Sequence, residues 1–312
     1  MGWLVGRRIA AAILVLVGLA PSLAPSLATA QEPRLKAVAT FSILADLVSQ
    51  VGGDRVAVTS LVGPDADAHG YSPAPGDARR VAEANLVVVN GLGFEGWLER
   101  LIKASGTKAP VVVASKGVKT IAGSHDHDDH GHDHGEGDHA DPHAWQNVAN
   151  TKLYVANIRD GLSAADPEHA GLYAANAAAY MQKLDALDAE IRAALATIPE
   201  ERRRIITTHD SFGYFSAAYG MRFLAPQGIS TDSEAGPKDV ARIIRQIRRD
   251  KVPAVFVESI ADPRLMQQIA RESGAKVGGR IYSDALSAPG GPAPGYLEMM
   301  RSNLAAFREA LS

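Results

Sequence analysis

Three histidines and one aspartate stand out as candidate ligands of a single metal ion: His69, His143, His209 and Asp284. Each lies just after a predicted β-strand or in the loop that follows one. In open α/β sheets, ligands bind outside the carboxyl ends of the strands, so these side chains are expected to meet. Taken singly, such a histidine is usually a hydrogen-bonded loop residue, and Asp284 could cap a turn. The joint pattern, with two residues in each half of the chain, favours a metal site.

The donor types indicate which ion would bind. Three imidazoles and one carboxylate suit four-coordinate Zn²⁺, with Zn–N distances of about 2.0–2.1 Å. Mn²⁺ favours more oxygen ligands. Two carboxylates next to the candidate ligands, Asp141 and Asp210, are placed to accept hydrogen bonds from imidazole N–H groups. They could equally well cap a helix or a turn.

A second group of histidines lies in one short segment, residues 125–139, where they alternate with acids and glycines. Such a segment cannot form a packed core, so we expect a solvated loop that binds metal weakly. An internal position makes a purification tag a poor explanation. The histidines of this predicted low-affinity loop are His125, His127, His130, His132, His134 and His139.

A glycine motif between residues 91 and 96 matches G-x-G-x-x-G after a strand and before a helix. A dinucleotide site would need a carboxylate about 20 residues further on, where this chain has Ser115 and Lys116. Glu95 would also face the phosphates. The motif is better explained as a tight strand-to-helix turn.

The elements that must position these residues alternate between short β-rich runs and amphipathic helices, which is typical of βαβ units and parallel sheets. This predicts two α/β lobes, each with a mainly parallel four-stranded sheet flanked by helices. The strands of the first lobe are predicted at Leu35–Ala39, Val56–Val62, Leu86–Val89 and Val111–Ala114. Those of the second are predicted at Arg204–Thr208, Arg222–Leu224, Ala254–Val257 and Lys276–Tyr282.

A helix-forming stretch from Pro167 to about Ile198 separates the two series of strands and contains no glycine after Gly171. It predicts one rigid helix roughly 40–45 Å long, which would join the lobes. The predicted organisation is therefore a signal peptide at 1–30, an N-terminal lobe at 31–165, a linking helix at 166–198 and a C-terminal lobe at 199–312.

The first thirty residues have the pattern of an export signal. Arg7 and Arg8 precede the apolar run Ile9–Leu19, and Ala28-Thr29-Ala30 offers a cleavage site. The chain contains no cysteine, which excludes disulfides, thiolate ligands and a lipid-anchored cysteine at the export site. We therefore expect a protein released into the periplasm. The net charge of −3 and the lack of a basic patch give no sign of a nucleic-acid partner.

The chain resembles the zinc branch of the metal-specific solute-binding proteins of ABC importers, often called cluster A-I. The resemblance covers nearly all of the mature chain. It rests on a His-x-Tyr-x-Pro segment at His69, an Asp-Pro-His-x-Trp segment from Asp141, a His-Asp-x-Phe-Gly-Tyr segment from His209, the late Asp284 and the histidine-rich insertion. One departure follows Trp145, where Gln146-Asn147 stands in place of the Leu-Asp-Pro that is common in relatives.

The resemblance implies that His69, His143 and His209 bind the ion, with Asp284 or a water as the fourth ligand. It implies two lobes joined by a long helix, with little closure on binding. In the manganese relatives the third position is typically Glu, where this chain has His209. The expected function is high-affinity zinc capture and delivery to the permease of an importer, by a monomer that a periplasmic zinc metallochaperone could load. The alternatives are a manganese or other divalent-metal importer subunit, a surface adhesin of the same fold and a zinc-dependent hydrolase.

Overall fold

The computed structural model describes residues 1–3, 34–123 and 140–311. Its first sheet contains four parallel strands in the order β2-β1-β3-β4. The central strands β1 and β3 are almost entirely buried, because helices cover both faces. The bounds are β1 Leu35–Phe41, β2 Val56–Val62, β3 Leu86–Val89 and β4 Val111–Val113.

The second sheet repeats this arrangement, with parallel strands in the order β6-β5-β7-β8. Both sheets have the strand count and direction that the sequence predicts, and the strand ends agree to within two residues. The bounds are β5 Arg204–Ile206, β6 Arg222–Leu224, β7 Ala254–Glu258 and β8 Lys276–Ile281.

The described helices pack on the sheets through apolar faces. In α1, buried residues at helical spacing face the first sheet, and Gly53 ends the helix at φ +54°, a conformation that glycine adopts without strain. Asp262 caps α8, and Gly274 follows its last residue at φ +84°. The bounds are α1 Ser42–Gly52, α2 Pro75–Ala82, α3 Leu98–Ser105, α4 Val148–Ala165, α5 Ala170–Ala196, α6 Gly213–Tyr219, α7 Pro237–Asp250, α8 Pro263–Ser273 and α9 Tyr296–Leu311.

The predicted long helix is present as α5, a 27-residue helix that follows a 3₁₀ turn at Pro167–His169. One side of it is buried along its whole length, at intervals of three or four residues. It packs against α1 and α4 of the first lobe, α6 of the second lobe and the final helix α9. The buried positions are Tyr173, Ala177, Tyr180, Leu184, Leu187, Ile191 and Leu195.

Two predictions concern segments outside the described residues: the signal peptide at 1–30, apart from its first three residues, and the histidine-rich loop at 125–139. Residues 34–123 and 140–311 belong to one compact unit by their contacts. Within the part of the chain that the structure describes, no helix has the length and apolar character needed to cross a membrane.

Candidate metal centre

The four predicted ligands follow four different strands. His69 lies in the loop after β2, His143 in the segment after β4, His209 three residues after β5 and Asp284 three residues after β8. Because all these strands are parallel within their sheets, their carboxyl ends present the four side chains to the gap between the lobes. All four residues are buried, His69 being the most exposed at 7%.

The ligand atoms of the four residues lie within 4.8 Å of one another. The Nε2 atoms of His69 and His143 are 3.1 Å apart. Oδ2 of Asp284 lies 3.3 Å from His69 Nε2 and 3.0 Å from His209 Nε2, and Oδ1 lies 3.7 Å from His143 Nε2. Three imidazole nitrogens and both carboxylate oxygens therefore surround one point.

Several of these polar atoms are not satisfied by hydrogen bonds. Within residues 34–123 and 140–311, both carboxylate oxygens of Asp284 and Nε2 of His209 are buried without a partner at hydrogen-bond geometry. Buried polar atoms without partners are costly and call for an explanation. A cation bound by the four side chains would satisfy the converging lone pairs.

The carboxylate of Asp141 is hydrogen-bonded to His143. Oδ1 of Asp141 accepts hydrogen bonds from the backbone N–H of His143 at 2.9 Å and from its ring Nδ1 at 2.8 Å. The second bond places the proton on Nδ1 and leaves Nε2 free to bind an ion. The Nε2 atom faces His69 and Asp284.

The corresponding carboxylate at His209 is Glu258, not the predicted Asp210. Oε2 of Glu258 contacts Nδ1 of His209, and Oε1 accepts hydrogen bonds from the backbone N–H groups of Thr208 and His209 at 2.7 and 2.9 Å. The physical reason is strand order: β7 pairs with β5, so the end of β7 lies beside the His209 turn. Asp210 instead lines the solvent-filled cavity beside the centre, which is described below. A charged residue at the end of a buried strand was the signal that could have revealed Glu258.

Burial and neighbouring charges set the titration of the site. Burial by itself would lower the pKa of His209, but the Glu258 and Asp284 carboxylates outweigh it and raise that pKa well above its usual value. Burial would raise the pKa of Asp284, but the charges of His209 and His143 hold it well below its usual value. For His69, burial prevails over the attraction of Asp284 and lowers the pKa.

Aromatic side chains form the walls on the N-terminal side. Phe94 packs edge-on to His69 at a centroid distance of 4.6 Å, and Trp145 packs edge-on to His143 at 5.3 Å. Trp97 donates a 2.8 Å hydrogen bond from Nε1 to the carbonyl of Ala68, directly before His69. The histidine rings are thereby held in place before an ion arrives.

A cavity of about 750 Å³ leads from solvent to the His69 side of the centre. Phe94 and Pro142 line it on one lobe, and Asp210 and Phe223 line it on the other. It is far larger than an ion, and we call it the entrance because it opens the His69 side of the centre to solvent.

The glycine motif is a turn, in agreement with the sequence argument. Glu95 occupies the backbone donors that a phosphate would need: its Oε1 accepts from the N–H of Asn90 at 2.6 Å and its Oε2 from that of Gly91 at 3.3 Å. Gly91 and Gly93 have φ values of +85° and +79°, which explains why glycine is required at both positions.

Two α/β lobes that enclose four buried metal-ligating side chains define the class: a protein that binds a metal ion as its solute between two lobes. The family model for zinc-uptake complex component A periplasmic (ZnuA) matches residues 37–310. The chain belongs to this family: it is a metal-binding subunit of an ABC importer and not an enzyme.

Known relatives agree with this class. The manganese-binding lipoprotein MntA of Halalkalibacterium halodurans is 35% identical over 278 residues, 89% of each chain. The iron-binding protein YfeA of Yersinia pestis is 34% identical over 86% of this chain and 83% of its own. The solved structure of the periplasmic zinc binding protein TroA from Treponema pallidum is 28% identical, with a TM-score of 0.82 over 90% of this chain and 100% of that one. Family membership confirms a divalent metal as the cargo, and the relatives' names cover three different ions.

Proposed function

We propose that this protein captures zinc in the periplasm and delivers it to the permease of an ABC importer. The supporting observation is the buried group of three imidazole Nε2 atoms and the Asp284 carboxylate. Four ligand atoms at about 2.0–2.1 Å from a tetrahedral ion are about 3.3 Å apart. Four of the separations between these atoms lie between 3.0 and 3.7 Å, and one ligand atom from each of the four residues lies within 4.8 Å of the others. We also propose that the protein acts as a monomer, with each chain carrying a complete site.

Manganese is the second candidate, and two observations favour it. Several relatives carry manganese in their names, among them MntA and the substrate-binding lipoprotein PsaA of Streptococcus pneumoniae, which is 33% identical. Both oxygens of Asp284 face the centre, so a bidentate carboxylate would give an ion a fifth ligand. Three neutral nitrogen donors nevertheless favour zinc. A given site generally binds Zn²⁺ more tightly than Mn²⁺, and Mn²⁺ is better suited to oxygen ligands.

Competition between the two ions tests this choice. Metal-free protein lacking residues 125–139 is titrated with Zn²⁺ and with Mn²⁺ against a chelator of known affinity, and bound metal is counted by mass spectrometry. We expect one tight zinc per chain and manganese binding weaker by at least a hundredfold. In His209→Glu, the added oxygen donor should reduce the difference between the zinc and manganese affinities. Equal or tighter manganese binding by the parent would establish the second candidate.

The site assignment has a separate test with a matched control. His209→Ala, in the loop-deleted protein, should weaken zinc binding at least tenfold, about 1.4 kcal/mol, because it removes one of four ligands. His169→Ala is the control, since His169 is a partly buried histidine that contacts Asp166 and lies outside the centre. Unchanged zinc affinity in His209→Ala would contradict the assignment.

A further inference from the structure

One main-chain carbonyl beside the metal centre accepts two side-chain hydrogen bonds from the opposite lobe. The carbonyl of Ser283 accepts from Nε1 of Trp145 at 2.9 Å and from Nε2 of Gln146 at 2.8 Å. Trp145, Gln146 and Ser283 are all fully buried. Trp145 and Gln146 directly follow the His143 turn, and Ser283 directly precedes Asp284.

This carbonyl restricts where Asp284 can lie. The peptide between Ser283 and Asp284 is planar, so hydrogen bonds to its carbonyl oxygen limit the positions open to the nitrogen and Cα of Asp284. On the other side of Asp284, the N–H of Leu286 donates to Oγ of Ser42 at 3.0 Å, and the carbonyl of Leu286 accepts from the N–H of Asp65 at 2.8 Å. Residues of the N-terminal lobe therefore hold the Asp284 segment from both directions.

His209 is held differently. Its backbone and ring are both bound by Glu258 at the end of β7, within the C-terminal lobe. The sequence divides the ligands two and two between the lobes. The contacts tie Asp284 to both lobes, because Oγ of the preceding Ser283 also donates a 2.8 Å hydrogen bond to Oε2 of Glu258.

Gln146 forms its hydrogen bond to Ser283 at a cost in stability. Its Oε1 atom is buried and has no hydrogen-bond partner within residues 34–123 and 140–311. An unsatisfied buried acceptor lowers stability, and leucine would fill a similar volume without that cost. A glutamine here is explained by what its N–H group does at Ser283.

We infer that Gln146 is a positioning residue for metal binding: through the Ser283 carbonyl it holds Asp284 in place as the fourth ligand. The inference rests on the proposed function, since it requires an ion at this centre. It predicts that Gln146 acts on the ion only through Asp284, and that manganese, which depends more on oxygen ligands, is affected more than zinc.

The test uses Gln146→Leu in the otherwise complete protein, with Gln268→Leu as the matched control. Gln268 is an exposed glutamine on α8 that bonds Glu272. Partners that orient a metal ligand typically change affinity by about 10–100-fold. We expect Gln146→Leu to speed zinc dissociation about tenfold in a stopped-flow chelator assay and to weaken manganese more. Its melting temperature without metal should be equal to or above that of the parent. Gln268→Leu should leave zinc dissociation unchanged.

A double-mutant cycle separates positioning from a general structural effect. If Gln146 works through Asp284, then Gln146→Leu should have no further effect on zinc affinity once Asp284→Ala is present. Trp145→Phe, which removes the other N–H donor, should likewise have no further effect on zinc affinity once Asp284→Ala is present, and this second cycle provides the test if Gln146→Leu does not fold. Additive losses in the cycle, or unchanged dissociation in a folded variant, would overturn the inference. Failure of the parent to bind one tight ion would instead overturn the proposed function.

Discussion

At the scale of single residues, the centre depends on carboxylates that do not touch the ion. Asp141 and Glu258 each contact the Nδ1 atom of one ligand histidine, so the other ring nitrogen is turned towards the centre. The two carboxylates reach their histidines differently. Asp141 is two residues from His143, whereas Glu258 comes from a neighbouring strand.

The raised pKa of His209 predicts how zinc binding depends on pH. In the metal-free protein this imidazole keeps its proton to a pH above its usual value of about 6.5. Zinc must displace that proton, so affinity should fall as pH decreases from neutrality, by about tenfold per pH unit below the pKa. Competition titrations between pH 8.5 and 5.5 would measure this, in protein lacking residues 125–139.

The variant Glu258→Gln tests whether Glu258 causes this pH dependence. The amide preserves the shape of the side chain but removes the charge that raises the pKa of His209, so the fall in zinc affinity should begin at a lower pH. Nuclear magnetic resonance titration of the His209 ring in metal-free protein should show the same displacement. Identical profiles for Glu258→Gln and the parent would show that Glu258 does not control the proton on His209.

At the scale of elements, the start of α6 shows how closely the lobes approach each other. Gly213 opens this helix, and a Cβ atom added there would overlap Oδ2 of Asp141 and lie 3.1 Å from Cδ1 of Ile121. The missing side chain thus lets the second lobe pack directly against the carboxylate that orients His143.

We expect Gly213→Ala to weaken zinc binding by about 10–100-fold, because it displaces Asp141 from His143. Gly171→Ala is the control: this exposed glycine in the first turn of α5 has nothing within 4 Å of an added Cβ. It should leave zinc affinity unchanged and stabilise the protein by about 0.5–1 kcal/mol. Isothermal titration and thermal unfolding measure the two quantities. Zinc affinity in Gly213→Ala equal to that of the control would mean that the helix start can move without disturbing the centre.

At the scale of the whole molecule, the two residues that flank the histidine-rich segment lie at the entrance. Ala122 and Ala140 flank the segment, pair with each other as an antiparallel bridge and line the cavity that leads to His69. The chain that carries the six histidines lies outside the described residues, and it leaves and rejoins the described part of the protein at this cavity. A tethered weak site acts by raising the local concentration of its ligand.

Deleting residues 125–139 should leave one tight zinc per chain, remove additional weakly bound ions and slow loading when free zinc is scarce. Ordering such a segment costs on the order of 1–2 kcal/mol per residue, so its binding should be weaker than that of four buried ligands. Equilibrium titration counts the ions, and stopped-flow competition against a chelator measures loading. Loss of the tight site on deletion would mean that the segment supplies a primary ligand.

The sequence by itself determined the two parallel sheets, the long helix and the four residues that meet at the centre. Each of these has a local signal: apolar periodicity for the strands and helices, and polar residues just after strands for the site. Parallel strands align their carboxyl ends, so residues such as His209 and Asp284 could be placed together without a structure. Asp141 was predictable for the same reason, since it is close to His143 in the chain.

Only the tertiary structure decided which residues hold the ligands and how the ligands are shared between the lobes. Glu258 meets His209 across 49 residues of chain, and Gln146 meets the Ser283 carbonyl across 137. Such contacts depend on strand order and on the packing of one lobe against the other, which leave no periodic pattern in the sequence. Asp284 follows a strand of the second lobe but is also held by the first, because the carbonyl before it accepts hydrogen bonds from the buried side chains of Trp145 and Gln146.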